Sequence, residues 1–144
     1  RSQIFAKSLP LPIVDGMLVR MQMLLTMPEL REKLWYNVKR IQNGLKEKGF
    51  DIGNTNSPVT PIYMKGDVPE ATNMVMDLRE NHHIFCSIVV YPVIPKGDII
   101  YRIIPTASHT DADIDETLKA FEIVKKKLDN GEYKSANIPD MAEK

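Results

Sequence analysis

The chain has 144 residues, 43% of them hydrophobic and 26% charged, enough for one core of ordinary size and short for two. Its 19 lysines and arginines balance 19 aspartates and glutamates, so there is no global electrostatic reason to bind nucleic acid or an anionic membrane. The longest uncharged apolar stretch, Ile84 to Ile94, is about half of the roughly 20 residues that a membrane-spanning helix needs.

One cysteine, Cys86, excludes an internal disulfide and a cysteine-built zinc site. With no signal-like opening segment, a cytoplasmic location is expected. The first residue is Arg1, and the opening run reads as the middle of a folded chain, so a piece of something longer is expected. Charge is unevenly divided, with nine basic and four acidic side chains in residues 1 to 50 and ten basic and fifteen acidic ones in 51 to 144. The early excess of cations fits either a solvated helix face or a surface that meets an anionic cofactor or another chain.

Pro10 and Pro12 bracket an extended entry, after which Val14, Met17, Leu18, Met21, Leu24 and Leu25 recur at helical spacing over about 13 to 26. Thr26 with Glu29 makes a capping-box pattern for a second helix over about 28 to 48, whose stripe is Leu30, Leu34, Val38, Ile41 and Leu45 and whose stop is Gly49. Pro58 to Met64 reads as a short strand, pushed toward a sheet edge by its two prolines. Asp67 then caps a third helix that buries Ala71, Met74, Val75 and Leu78 and ends at His82 and His83. Ile84 to Val90 and Ile99 to Ile104 are rich in β-branched residues and predict an antiparallel pair around a proline-stiffened loop. Thr110 with Asp113 opens a last helix, with Ile114, Leu118, Phe121, Val124 and Leu128 buried and Gly131 as its end. The order α-α-β-α-β-β-α predicts an α+β domain, a mainly antiparallel three-stranded sheet with helices on one face. The polar tail from Glu132 is expected to fray.

Arg102 stands out. Alternation puts it on one face of an otherwise apolar strand, where a guanidinium must escape at an edge, pair with a helix carboxylate, or bind an external anion. Its planar fork suits a carboxylate through two parallel hydrogen bonds. His109, just before the last helix, fits either acid-base work or a local bond to backbone. Adjacent His82 and His83 point apart and do not make a metal pair, and Cys86 in an apolar strand reads as a buried thiol. The acids Asp111, Asp113, Asp115 and Glu116 read as a helix start rather than a metal loop. No glycine-rich phosphate loop or nucleophile elbow is present, so no catalytic residue is assigned.

Three stretches together carry a resemblance: Ile4-Phe-Ala-Lys-Ser-Leu-Pro10, Ser57-Pro-Val-Thr-Pro-Ile62, and Tyr91-Pro-Val-Ile-Pro-Lys-Gly97 followed by Tyr101-Arg-Ile-Ile-Pro-Thr-Ala-Ser-His-Thr110. Up to about Leu128 the chain resembles the C-terminal part of the α-oxoamine synthases, the pyridoxal-phosphate-dependent acyl-CoA enzymes of the aspartate-aminotransferase fold (fold type I). That group includes glycine C-acetyltransferase (2-amino-3-ketobutyrate CoA ligase), 8-amino-7-oxononanoate synthase and serine palmitoyltransferase. The resemblance implies that residues 1–27 end a large domain and make an interdomain helix, and that 28–131 form the small C-terminal domain before a tail over 132–144. It implies that the Schiff-base lysine lies upstream of Arg1, in a missing N-terminal large domain, and that the whole enzyme is a homodimer.

By the same resemblance Arg102 binds the substrate carboxylate, while Lys7 and Ser8 reach the cofactor phosphate of the neighbouring subunit. Ala6 and Lys7 stand where the family typically has serine or threonine. The implied reaction condenses glycine, serine or alanine with an acyl-CoA to give an α-aminoketone and CoA. The alternative is a non-catalytic regulatory module that binds a small amino acid through Arg102.

Overall fold

In a computed structural model the described residues are 8–134, and they fall into two compact units that divide between Lys33 and Leu34. The first unit holds helix α1 (Leu11–Thr26) and the opening turns of α2 (Pro28–Glu47). Helix α1 starts two residues earlier than its periodicity predicts, because Pro12 is tolerated in a first turn whose N–H groups have no helical partner anyway. It buries none of its residues, and Leu18, Leu24 and Leu25 are all exposed. The expected Thr26–Glu29 capping box does not form. The Thr26 hydroxyl donates instead to the Gln22 carbonyl at 2.9 Å, inside the last turn of α1.

The second unit adds β1 (Thr60–Lys65), α3 (Val68–His82), β2 (Ser87–Val89), β3 (Asp98–Ile103) and α4 (Asp111–Asp129). The strands are antiparallel in the order β1-β3-β2, which puts the proline-bearing β1 at an edge. There Pro61 costs the sheet little, since its missing N–H can lie on the unpaired side. Both flanking strands are shorter than their apolar runs. Pro58 and Val59 stay out of β1 because the Ser57 hydroxyl accepts the Val59 N–H in a local turn. Ile84 stays out of β2 because it closes α3: His83 takes a left-handed conformation (φ 57°) and the Ile84 N–H reaches the Leu78 carbonyl.

Alternation along β3 turns Ile99, Tyr101 and Ile103 inward and Ile100 and Arg102 outward. The inner face joins Ile41 and Leu45 of α2, Ala71, Met74 and Leu78 of α3, and Ile114, Phe121 and Val124 of α4 in one core. Phe50 and Phe121 meet edge to face with centroids 5.5 Å apart, and the buried Tyr101 hydroxyl donates to the Ala71 carbonyl at 3.2 Å. Gly44 leaves room for Leu118 of α4 against α2, since a Cβ there would fall 2.6 Å from the methyl carbons of Leu118. Helix α4 begins with the capping box read from the sequence, Thr110 and Asp113 each bonding the other's backbone N–H.

The expected fraying from Glu132 is corrected at Tyr133. This side chain is buried, its hydroxyl donates to Asp77 of α3, and its carbonyl accepts from Asn73 at 3.2 Å. An aromatic ring placed just beyond the left-handed Gly131 can turn back onto the core, and burying it outweighs the entropy of a free end. Residues 135–144 of the expected tail lie outside the described residues.

Candidate substrate-binding site

With one face of the sheet packed on helices, the other carries Pro61 and Tyr63 of β1, Ile100 and Arg102 of β3 and Ser87 of β2. Arg102 sits on the central strand, with Pro61 directly opposite on one flank and Ser87 on the other. It is exposed, and its Nε donates to the Ser87 hydroxyl oxygen at 3.1 Å. No carboxylate pairs with it among the described residues, so the salt bridge to a helix acid left open by the sequence is not formed there. A guanidinium has five N–H donors, and the four on the two terminal nitrogens remain available to an anion. Two residues back along β3, Ile100 lines a hollow of about 350 Å³ together with Tyr63, Lys65, Ile94 and Pro95. Asp51 and Asp98 also line that hollow and Arg102 does not, so the open face sets a cationic fork beside a separate hollow with apolar and charged walls.

The segments around this face are held by side-chain amides. Gln42 of α2 donates to the Ser57 carbonyl and the Thr60 hydroxyl, both at 3.1 Å, which fixes the approach to β1. Asn37, fully buried on the same helix, donates to the carbonyls of Thr106 and His109 at 2.9 and 3.0 Å. His109 closes that loop itself, its Nδ1 accepting the Thr106 N–H at 3.0 Å, so a neutral ring carries its hydrogen on Nε2. The local bond is therefore the role the structure gives His109. Asn37→Ala is expected to cost about 1–2 kcal/mol, two part-buried carbonyls losing their donor. A urea melt with no shift in midpoint would refute the clamp.

The other sequence candidates separate cleanly. Burial pushes the Cys86 thiol up to about 11, so at neutral pH it stays protonated and unreactive. Asp111 and Asp115 pair with Arg40 at the start of α4, and no acidic, histidine or cysteine group fit for a metal occurs among the described residues. His82 closes α3 with its Nε2 buried and unpartnered, while His83 is the left-handed cap. Ser8 is exposed just before α1, in the first unit, and Lys7 lies outside the described residues. Ser87, Gln42 and Asn37 escaped the sequence reading. Only Ser87 has a signal in the sequence that could have found it, a hydroxyl interrupting the apolar run Ile84 to Val90.

No family model matches the chain. It is 62% identical over 137 residues to a cysteate-C-fatty acyltransferase of Capnocytophaga ochracea, covering 95% of this chain and 33% of that protein. It is 37% identical over 128 residues to the 8-amino-7-oxononanoate synthase of Thermoanaerobacter pseudethanolicus, covering 89% of this chain and 32% of the relative. The chain belongs to the α-oxoamine synthase group, as a C-terminal part. A serine palmitoyltransferase from S. paucimobilis, solved with a bound PLP–myriocin aldimine, superposes with a TM-score of 0.79 at 27% identity over 88% of this chain and 32% of its own. The fold is accordingly that of the pyridoxal-phosphate-dependent transferases, as the resemblance implied. The α-oxoamine synthase relatives are about three times as long, this chain spanning about a third of the curated proteins it matches. No described helix is long and apolar enough to cross a membrane.

Proposed function

We propose that these residues are the substrate-gripping part of a pyridoxal-phosphate-dependent acyltransferase acting on cysteate and a fatty acyl-CoA: the thioester C–S bond breaks and CoA leaves, the acyl carbon bonds to the α-carbon, and the α-carbon gives up its proton or its carboxylate as CO2. The observation that carries this reading is the 62% identity along 95% of the chain to a cysteate-C-fatty acyltransferase. On that ground cysteate stands ahead of glycine, serine and alanine as the amino acid. Arg102 supports the same reading, since an unpaired guanidinium on an open sheet face suits the α-carboxylate of an amino acid. When bound, pyridoxal phosphate supplies an electron sink for the α-carbon.

The chemistry left to this chain is binding and orientation. Arg102 would hold the carboxylate and so fix how the α-carbon is presented for reaction, an orientation effect worth up to several kcal/mol, on the order of a thousand-fold in rate. Asn37 and Gln42 keep the segments before β1 and after β3 in place, and so keep the face rigid. Lys7 and Ser8 are proposed as phosphate contacts across a homodimer, and an N-terminal large domain as the source of the cofactor-binding lysine.

By the resemblance to the α-oxoamine synthases, none of the lysines in these 144 residues stands in the family's Schiff-base motif. Residues 1–144 by themselves are therefore expected to form no stoichiometric, borohydride-trappable adduct with pyridoxal phosphate and to have no acyltransferase activity. Trapping at a single lysine, seen by peptide mass mapping, would overturn this. For the full-length holoenzyme the test is CoA release from a long-chain acyl-CoA with cysteate, serine, glycine or alanine. Turnover with cysteate at least as fast as with the others supports the reading, and inactivity with cysteate refutes it.

A further inference from the structure

We propose that Ser87 is a positioning residue for the amino-acid substrate, holding the guanidinium of Arg102 so that a carboxylate docks end-on against its two terminal nitrogens. The inference rests on the reading of Arg102 as the carboxylate anchor. A carboxylate can take a guanidinium along its side, through Nε and one terminal nitrogen, or at its end, through both terminal nitrogens. In this protein the side approach is engaged: Nε donates to the Ser87 hydroxyl oxygen at 3.1 Å.

The register makes that contact specific. Ser87 and Arg102 are direct cross-strand partners, so both side chains rise from the same open face. On the opposite flank Arg102 faces Pro61, whose ring has no group to accept a hydrogen bond. In this row of the sheet Ser87 is thus the side chain able to orient the fork. Arginine is long and flexible, and a bond at Nε fixes most of its torsions before the substrate arrives.

The test uses the full-length holoenzyme, with L-cysteate and L-serine titrated against the absorbance of the bound cofactor. Ser87→Ala is expected to weaken the amino acid about five-fold, with cofactor affinity and Tm unchanged. Ser87→Thr, which keeps a hydroxyl and suits a strand, should restore it. In an Arg102→Lys background Ser87→Ala should have no further effect, because lysine has no Nε to hold. Equal losses in both backgrounds, a threonine variant as weak as the alanine one, or unchanged affinity in Ser87→Ala would each overturn the inference while leaving Arg102 as the anchor. Unchanged affinity in Arg102→Lys and Arg102→Ala would remove that anchor, and the inference with it.

Discussion

Arg102→Ala in the full-length holoenzyme is expected to raise the dissociation constant of the amino acid by about 30- to 1,000-fold, the equivalent of about 2–4 kcal/mol for a charge-assisted two-pronged contact. The fold should not notice. Arg102 is exposed, bonds only the Ser87 hydroxyl among the described residues, and supports no part of the core. Tm should therefore stay within about 1–2 °C of the wild type, in line with surface substitutions generally. Cofactor affinity should hold as well, because the contact is made to the amino acid. Arg102→Lys keeps the charge but loses the fork, and should recover only part of the binding. Titration with cysteate decides between these outcomes. An unchanged dissociation constant in the alanine variant would show that the carboxylate is bound elsewhere.

The largest loss of stability is expected at Asp77. Its carboxylate accepts hydrogen bonds from Lys127 of α4 at 2.8 Å, from Asn81 at 2.7 Å, and from the Tyr133 hydroxyl. Burial alone would raise its pKa, but those three donors and the lysine charge outweigh burial and hold the carboxyl down at about 2. Asp77→Ala leaves a half-buried ammonium and a phenol without their acceptor, and should cost about 3 kcal/mol, which lowers Tm by on the order of 10 °C.

The pH dependence has a definite sign. The folded pKa lies below the ordinary value of 3.8, so the contribution is fully present above about pH 4 and is lost as pH falls toward about 2. Its size follows from the same shift, on the order of 2 kcal/mol. Acid unfolding of the wild type should steepen in that window, and Asp77→Asn should flatten it. A variant that unfolds in acid with the wild-type profile would show that the network contributes little.

Local chemistry was enough for the elements and their order. The period of Val38, Ile41 and Leu45, the Asp67 cap and the Thr110–Asp113 capping box act within one or two turns of chain, and a reader of the sequence sees both partners at once. The sheet edge was legible at Pro61, because a residue without an N–H has few places in a sheet. Arg102 was legible as an anomaly, since alternation alone puts its charge among isoleucines.

What surrounds Arg102 was not legible. Whether its charge meets a helix acid or an open face depends on which side of the sheet the helices cover, and Ser87 becomes its neighbour only through the β2–β3 register. Tyr133 was misjudged for the same reason: the carboxylate that holds it is 56 residues away, so nothing next to it in the chain shows that its end is fixed. Asn37 reads as one more polar residue on a helix until the turn carrying Thr106 and His109 closes over it. By itself the sequence determined the helices, the strands, the α+β class and the family. The tertiary structure alone decided which polar groups meet, because a hydrogen bond needs partners about 3 Å apart and chain order does not set that distance.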